Sequence, residues 1–138
     1  MDTAKLIELM NEDLGTEYQS IVQYVQHVAT IKGPEYQGFI EELRKHLSQE
    51  LEHATILAQQ IDFLGGVPTT EVPEVPSEPE AKRALELDLE LEERQLGRYR
   101  ERISQVHQMG LPDVGEALRP LLVQTQDHVQ ELQGVLGR

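Results

Sequence analysis

Gly65 to Pro79 reads GGVPTTEVPEVPSEP, with four prolines and two glycines in fifteen residues. No helix survives that density of proline, because each ring removes an amide donor and clashes with the turn before it. Two shorter breaks, Lys32-Gly33-Pro34 and Gly110-Leu111-Pro112, punctuate the rest of the chain. The three breaks leave four segments, about 4–31, 35–64, 78–109 and 113–136, each long enough for a helix of several turns. Ser77-Glu78-Pro79-Glu80 predicts a capping box at the start of the third, with Ser77 as N-cap and Glu80 returning three residues later.

Within each segment the apolar residues recur in steps of four and three. Met10, Leu14, Glu17, Ile21, Tyr24, Val28 and Ile31 form the first run, and Leu43, Leu47, Glu50, Ala54, Leu57, Ile61 and Leu64 the second. Leu85, Leu89, Glu92, Leu96, Tyr99, Ile103 and Val106 form the third, and Val114, Leu118, Leu121, Thr125, His128, Leu132 and Val135 the fourth. This is a heptad seam, the pattern of helices packed at shallow angles in a bundle. No period-two strand pattern competes with it, so the expected class is all-α.

The connections then select a topology. The two short breaks make each neighbouring pair of helices an antiparallel hairpin. The fifteen-residue stretch, at roughly 3.1 Å per residue of extended chain, spans about 46 Å, the length of a helix of about thirty residues. An up-down-up-down bundle needs no such connector; a bundle with one long crossover between its second and third helices does.

Composition agrees. The 138 residues, 15.7 kDa, predict a single domain over 1–138 with the proline-rich crossover at about 65–79. Aromatic residues are 4% and tryptophan is absent, thin for an all-β protein and ordinary for a helical one. The formal charge of −13 disfavours nucleic acid and anionic membrane as partners and favours cations. With no cysteine there is no disulfide scaffold, thiolate metal site or cysteine nucleophile. No apolar run has signal-peptide or membrane-spanning length, so a soluble cytoplasmic protein is the expectation.

The seams turn polar near mid-helix, at Glu17, Glu50, Glu92, Thr125 and His128. An uncompensated carboxylate in such a core changes its protonation or attracts a cation. The heights match as well. Glu17 and Glu50 are centred on the Gly33-Pro34 turn, and Glu92 and His128 on Gly110, so each pair faces across its hairpin. His53, three residues after Glu50, shares its face. Glu17 is followed by Glu50 after 33 residues and His53 after 36; Glu92 is followed by Thr125 after 33 and His128 after 36. The chain is a pseudo-repeat of Glu followed by E-x-x-H, with Thr125 in place of the second motif's glutamate. Tyr24 and Tyr99, each seven residues after Glu17 and Glu92, repeat too.

Across nearly the whole chain this pattern resembles the ferritin-like di-iron carboxylate proteins, and most of all bacterioferritin, with the erythrin domain of rubrerythrins as a relative. A single ExxH is common by chance; the doubled spacing on seam positions is specific. The resemblance implies a ferritin-like four-helix bundle in which each iron takes one terminal Glu and one His while two further Glu bridge the pair. Carried over, Glu17 and His53 hold one metal, Glu92 and His128 the other, and Glu50 bridges. Glu17, Glu50 and Glu92 would then be the carboxylates of the reaction, and Tyr24 corresponds to the family's tyrosine beside a metal ligand.

Three departures qualify the carry-over. Thr125 replaces the second bridging glutamate, so the half-site on the third and fourth segments is expected to bind more weakly; Gln124 offers a neutral oxygen nearby. Leu51 occupies the position of the bacterioferritin haem methionine, so no haem is expected. The chain stops ten residues after His128, so a cage closed by a short fifth helix is not expected, and the oligomer implied is a dimer or a cage of another construction.

The remaining polar positions are read more plainly. Thr125 is expected to bond the backbone carbonyl one turn back. His27, His46 and His107 fall off the seam and are expected to be solvated. Pro120 is expected to kink or loosen the fourth helix. Three readings of function follow: an iron-binding protein that oxidises Fe(II) with O2 or peroxide, for iron handling or protection from oxidative stress; a helical binding or structural protein with a degenerate site holding one metal or none; and a di-metal oxidase or peroxidase of rubrerythrin type. One or two iron ions per chain are expected, with manganese or zinc as alternatives.

Overall fold

Asp2 opens the first helix by accepting the Lys5 amide at 2.8 Å, and α1 runs Thr3–Thr30. The computed structural model describes residues 1–138 and contains helices and no strand. After α1 comes a single turn, α2 (Pro34–Gln37), then α3 (Ile40–Phe63), α4 (Ala81–Gln108) and α5 (Pro112–Val135). Pro34 and Pro112 sit at the first helical position, where a missing N–H costs nothing. The second segment therefore starts as a tight turn, with i−3 bonds from Tyr36 N to Gly33 O and Phe39 N to Tyr36 O, before regular helix takes over.

The third segment starts later than its capping box predicts. Glu80, not Ser77, is the N-cap: its carboxylate accepts the Arg83 amide at 2.8 Å, while its own amide is taken by Glu78. Ser77 instead accepts from Gln26 of α1 at 2.9 Å. Pro120 lies inside α5 without interrupting it.

α1 pairs with α3 and α4 with α5, and the two hairpins meet through α1 against α4 and α3 against α5. The crossover lies along α1. Asn11 clamps it through Val67 O and Thr69 N, Tyr18 donates to Thr69 O, and Gln26 holds Ser77. Its start depends on two glycines. Gly65 has φ 91°, which side chains with a Cβ rarely adopt, and Gly66 closes the end of α3 with its amide on Ile61 O. A Cβ on Gly66 would stand 2.6 Å from Ile7 Cγ2.

Two apolar clusters fill the bundle. Leu6, Met10, Leu14, Leu57, Ile61 and Leu118 belong to one; Tyr24, Ile31, Leu43, Leu85, Leu89 and Leu132 belong to the other. Glu17, Glu50, His53, Glu92 and His128, each at most 2% exposed, are buried with them as a polar layer.

The buried stripe is wider than the seam. At Val28, Leu47, Leu96 and Ile103 the seam residue is half-buried, whereas the residue before it, His27, His46, Gln95 or Arg102, is fully buried. Core-facing helices bury about three positions in seven rather than two. The expectation that His27 and His46 are solvated is thereby corrected: both occupy the third buried column at 0% exposure, while His107 is exposed. No helix is long and apolar enough to cross a membrane.

Candidate metal centre

The sequence places Glu17 on α1, Glu50 and His53 on α3, Glu92 on α4 and His128 on α5, and the fold brings all five together. His128 Nδ1 lies 3.0 Å from Glu50 Oε1 and 3.3 Å from Glu92 Oε2. His53 Nδ1 lies 3.3 Å from Glu50 Oε2 and 3.6 Å from Glu17 Oε1. Two overlapping sets of donors result, Glu17–Glu50–His53 and Glu50–Glu92–His128. Glu50 serves both, one oxygen toward each histidine. Each set has three donors, and the Thr125 gap falls on the bridge that they share.

Both histidines are tethered from behind. His53 Nε2 is 2.7 Å from Gln124 Oε1, and His128 Nε2 is 2.5 Å from Gln49 Oε1. An amide oxygen can only accept, so each Nε2 carries a proton and each Nδ1 is turned to the carboxylates. Tyr24 donates to Glu92 Oε1 at 3.0 Å, and Tyr99 donates to Glu17 Oε1. Gln95 Nε2 adds a bond of 3.0 Å to that same Glu17 oxygen. Members of each pair, Glu17/Glu92, Tyr24/Tyr99, Gln49/Gln124 and His53/His128, are 75 residues apart. The pseudo-repeat read from spacing is thus a pseudo-twofold in space, broken at Glu50/Thr125.

The electrostatics describe a site loaded with protons. Burial pushes the Glu50 carboxyl well above the carboxylate range, and the charges of Glu17 and Glu92 push it further. Burial would also raise Glu17, but the adjoining Glu50 carboxyl, the His53 ring 3.6 Å away and the Tyr99 hydroxyl outweigh it and hold it at about 2. Glu92 is likewise lowered, burial being outweighed by Glu50 and His128. Burial lowers His53, and Glu17 overcomes it to raise the ring. Both tyrosines rise through burial and the adjacent carboxylates.

Glu17 Oε2, His53 Nδ1 and Thr125 Oγ1 are buried with no hydrogen-bond partner. Thr125 was expected to return its hydroxyl to the helix backbone and does not. Orphaned oxygen and nitrogen atoms among three carboxylates and two imidazoles fit a metal ion of the iron, manganese or zinc class.

Several buried groups escaped the sequence reading. Arg102 Nε and Nη2 grip Asp13 at 2.7 and 3.1 Å. His27 Nδ1 meets Asp88 at 2.7 Å, and Gln23 supports that carboxylate at 3.1 Å. These pairs are also related by the 75-residue offset, Asp13 with Asp88 and His27 with Arg102. That offset was the available signal.

A family model described as a ferritin-like domain matches residues 7–138. Among solved structures, one of the ferritin-like, diiron-carboxylate proteins from Bacillus anthracis str. Ames is 30% identical, with a TM-score of 0.92 and 99% of each chain covered. The bacterioferritin-related protein from Bacteroides fragilis, described as a dodecameric thioferritin, is 22% identical and matches with a TM-score of 0.89 over 99% of this chain and 87% of that one. At that identity the likeness speaks for the fold. No curated protein matches the chain.

Proposed function

The chain belongs to the ferritin-like domain family, and from that premise we propose that it binds iron at Glu17, Glu50, His53, Glu92 and His128 and oxidises Fe(II). The observation that carries this reading is the placement of Glu50, 3.0 Å from His128 and 3.3 Å from His53, where one carboxylate can join two metal positions. The description of the Bacillus anthracis neighbour as a diiron-carboxylate protein supports iron over other metals. Bound iron supplies one-electron redox chemistry, with dioxygen or peroxide accepting the electrons.

The chain's own residues prepare that chemistry. Gln124 and Gln49 hold the Nε2 protons and turn Nδ1 inward. Glu50 and His53 hold protons that entering metal displaces, as ligation by carboxylate and imidazole requires. Tyr24 and Tyr99 keep Glu92 and Glu17 aligned. Apolar walls above and below exclude water and confine the reaction to the metal positions.

The test is a metal count followed by Fe(II) addition in air. Wild type should retain iron and consume Fe(II) faster than buffer. Glu50→Gln should retain less iron and oxidise it at the buffer rate. Retention and oxidation unchanged in that variant would overturn the assignment.

Thr125 favours a second reading, in which only one metal is held and the bundle acts by association. Iron saturating at one ion per chain without oxidation would select it. For assembly we propose self-association through the apolar face of α1 and α3, where Val22, Val25 and Leu51 are 42%, 54% and 53% exposed. Leucine offers haem no ligand atom, so this face is assigned to protein rather than haem. The dodecamer described for the Bacteroides fragilis neighbour is consistent with assembly. Light scattering on wild type and Leu51→Glu tests it: the variant should be the smaller particle.

A further inference from the structure

Outside the buried centre a second set of metal donors converges. Glu42 and His46 lie one turn apart on α3, Glu131 approaches from α5, and one ligand atom from each falls within 4.8 Å of the others. His46 is wholly buried, while Glu42 and Glu131 are half-buried, so the set reaches from core to surface.

Both ring nitrogens of His46 have partners, Tyr24 and Glu131, but with a neutral ring and an ionised Glu131 the protons fall one short. Tyr24 spends its single proton on Glu92. Its remaining lone pairs face His46 Nδ1 at 3.3 Å, so a neutral ring places its proton there. His46 Nε2 is then a bare lone pair, 2.9 Å from a carboxylate oxygen of Glu131. Moving the ring proton to Nε2 only shifts the mismatch to Tyr24: three contacts share two protons. A third proton or a cation shared by Nε2 and Glu131 removes the mismatch, and for a cation Glu42 supplies a further oxygen.

The bundle itself does not call for this trio. Offset by 75 residues, the equivalents of Glu42, His46 and Glu131 are Ala117, Leu121 and Ile56. Leu121 is buried in an apolar cluster and Ile56 packs against it. The same place in the other half is thus filled by hydrocarbon.

Its position suggests a use. The His46 ring stacks on that of His128, with centroids 4.0 Å apart and planes at 24°. Beyond it, Glu42 and Glu131 line a surface groove with Glu35 and Phe39. We propose that Glu42, His46 and Glu131 form a second, half-exposed divalent-cation site through which metal ions pass to the buried centre. Two carboxylates and an imidazole suit Fe2+, Mn2+ or Zn2+. Partial exposure makes the site weaker and more sensitive to salt than the buried one. Binding at the trio does not depend on the redox reading above; passage requires only that the buried centre takes metal.

The test uses Mn2+ alone on the full chain, counted by titration with electron paramagnetic resonance. Glu42→Gln combined with Glu131→Gln should weaken one low-affinity site by at least about tenfold and leave tighter binding unchanged. His46→Leu, the residue found at position 121, should do the same; should it fail to fold, the surface double variant decides alone. Co2+ mixed rapidly with the protein should fill the buried centre several-fold more slowly in the double variant, with the same final absorbance. Mn2+ binding equal in number and affinity to wild type would overturn the site. Loss of the weak site with unchanged Co2+ filling would overturn its role in passage. Failure of the tight sites to bind in wild type would count against the buried centre instead.

Discussion

His53 presents Nε2 to Gln124 Oε1 at 2.7 Å, and this contact decides which nitrogen the centre receives. The partner is a neutral amide, so it orients the ring without adding charge. Gln49 does the same for His128. Loss of such a partner typically lowers metal affinity about 10–100-fold. Gln124→Leu and Gln49→Leu should each weaken Co2+ binding within that range, and by similar factors, because Glu50 serves both halves equally. Gln124→Glu should restore affinity, since a carboxylate also accepts from Nε2 and makes the ring a stronger donor. Competitive titration against a chelator measures all three.

The Asp13–Arg102 pair lies in the core, with side chains 0% and 3% exposed. Burial keeps the Asp13 carboxyl above its ordinary range even with the guanidinium bonded to it. Removing one partner of a buried pair leaves a charge with nothing to balance it, at a cost of about 3–5 kcal/mol. Arg102→Met should destabilise by that amount in urea. Asp13→Leu combined with Arg102→Met should recover most of the loss, because hydrocarbon of similar volume needs no partner. A double variant as unstable as the single one would show that the pair does more than balance charge.

Glu50 gives the metal-free protein a pH signature. Its carboxyl is raised in the fold, first by burial and then by Glu17 and Glu92. The folded state therefore binds the proton more tightly than the unfolded chain. This contribution is complete below the unfolded value of 4.5 and is lost as pH climbs through the folded pKa. Glu17 acts in the opposite direction: held at about 2, it stabilises above 4.5 and loses that contribution as pH falls toward 2. With chelator present, the melting temperature should peak in weak acid and decline toward alkaline pH. Glu50→Gln, neutral throughout, should flatten the alkaline decline. Metal should bind more tightly as pH rises, releasing protons as it does. Parallel melting profiles for wild type and Glu50→Gln would place the proton elsewhere.

The four seams were legible because burial of two columns of side chains enforces the four-three spacing whatever else a helix does. The crossover was legible because fifteen residues rich in proline admit no helix. Glu17, Glu50, Glu92 and His128 stood out as charges on those columns. His27, His46 and Arg102 did not, because each precedes a seam residue, a position that is buried or solvated according to how far its helix is rotated against its neighbours. Spacing along one helix does not encode that rotation. Ser77 misled for a related reason: its hydroxyl is claimed by Gln26 across the bundle, and the Glu80 amide that it would cap is taken by Glu78. Gln49 and Gln124 carry no motif of their own and become visible only with the histidines they hold.

Thr125 is where the pseudo-twofold fails, and repairing it provides the sharpest test of the centre. Its hydroxyl is buried, has no partner, and lies one turn before His128, as Glu50 lies one turn before His53. Thr125→Glu would complete the second motif with a carboxylate opposite Glu50. Without metal, that carboxylate would join Glu17, Glu50 and Glu92 in a layer that already forces Glu50 to keep its proton. Like-charge crowding and burial should raise at least one more carboxyl and lower the melting temperature of the metal-free variant below that of wild type. With metal the balance reverses. Two divalent ions carry four positive charges against three carboxylates in wild type and four in the variant, so the variant neutralises the pair. Because only the folded form binds metal, tighter binding appears directly as stability. The variant should therefore gain more than wild type on addition of Mn2+ or of Fe(II) without air, and should retain closer to two metal ions per chain. Equal stabilisation of the two proteins by metal would mean that position 125 does not face the metals and that the second motif is not a broken copy of the first.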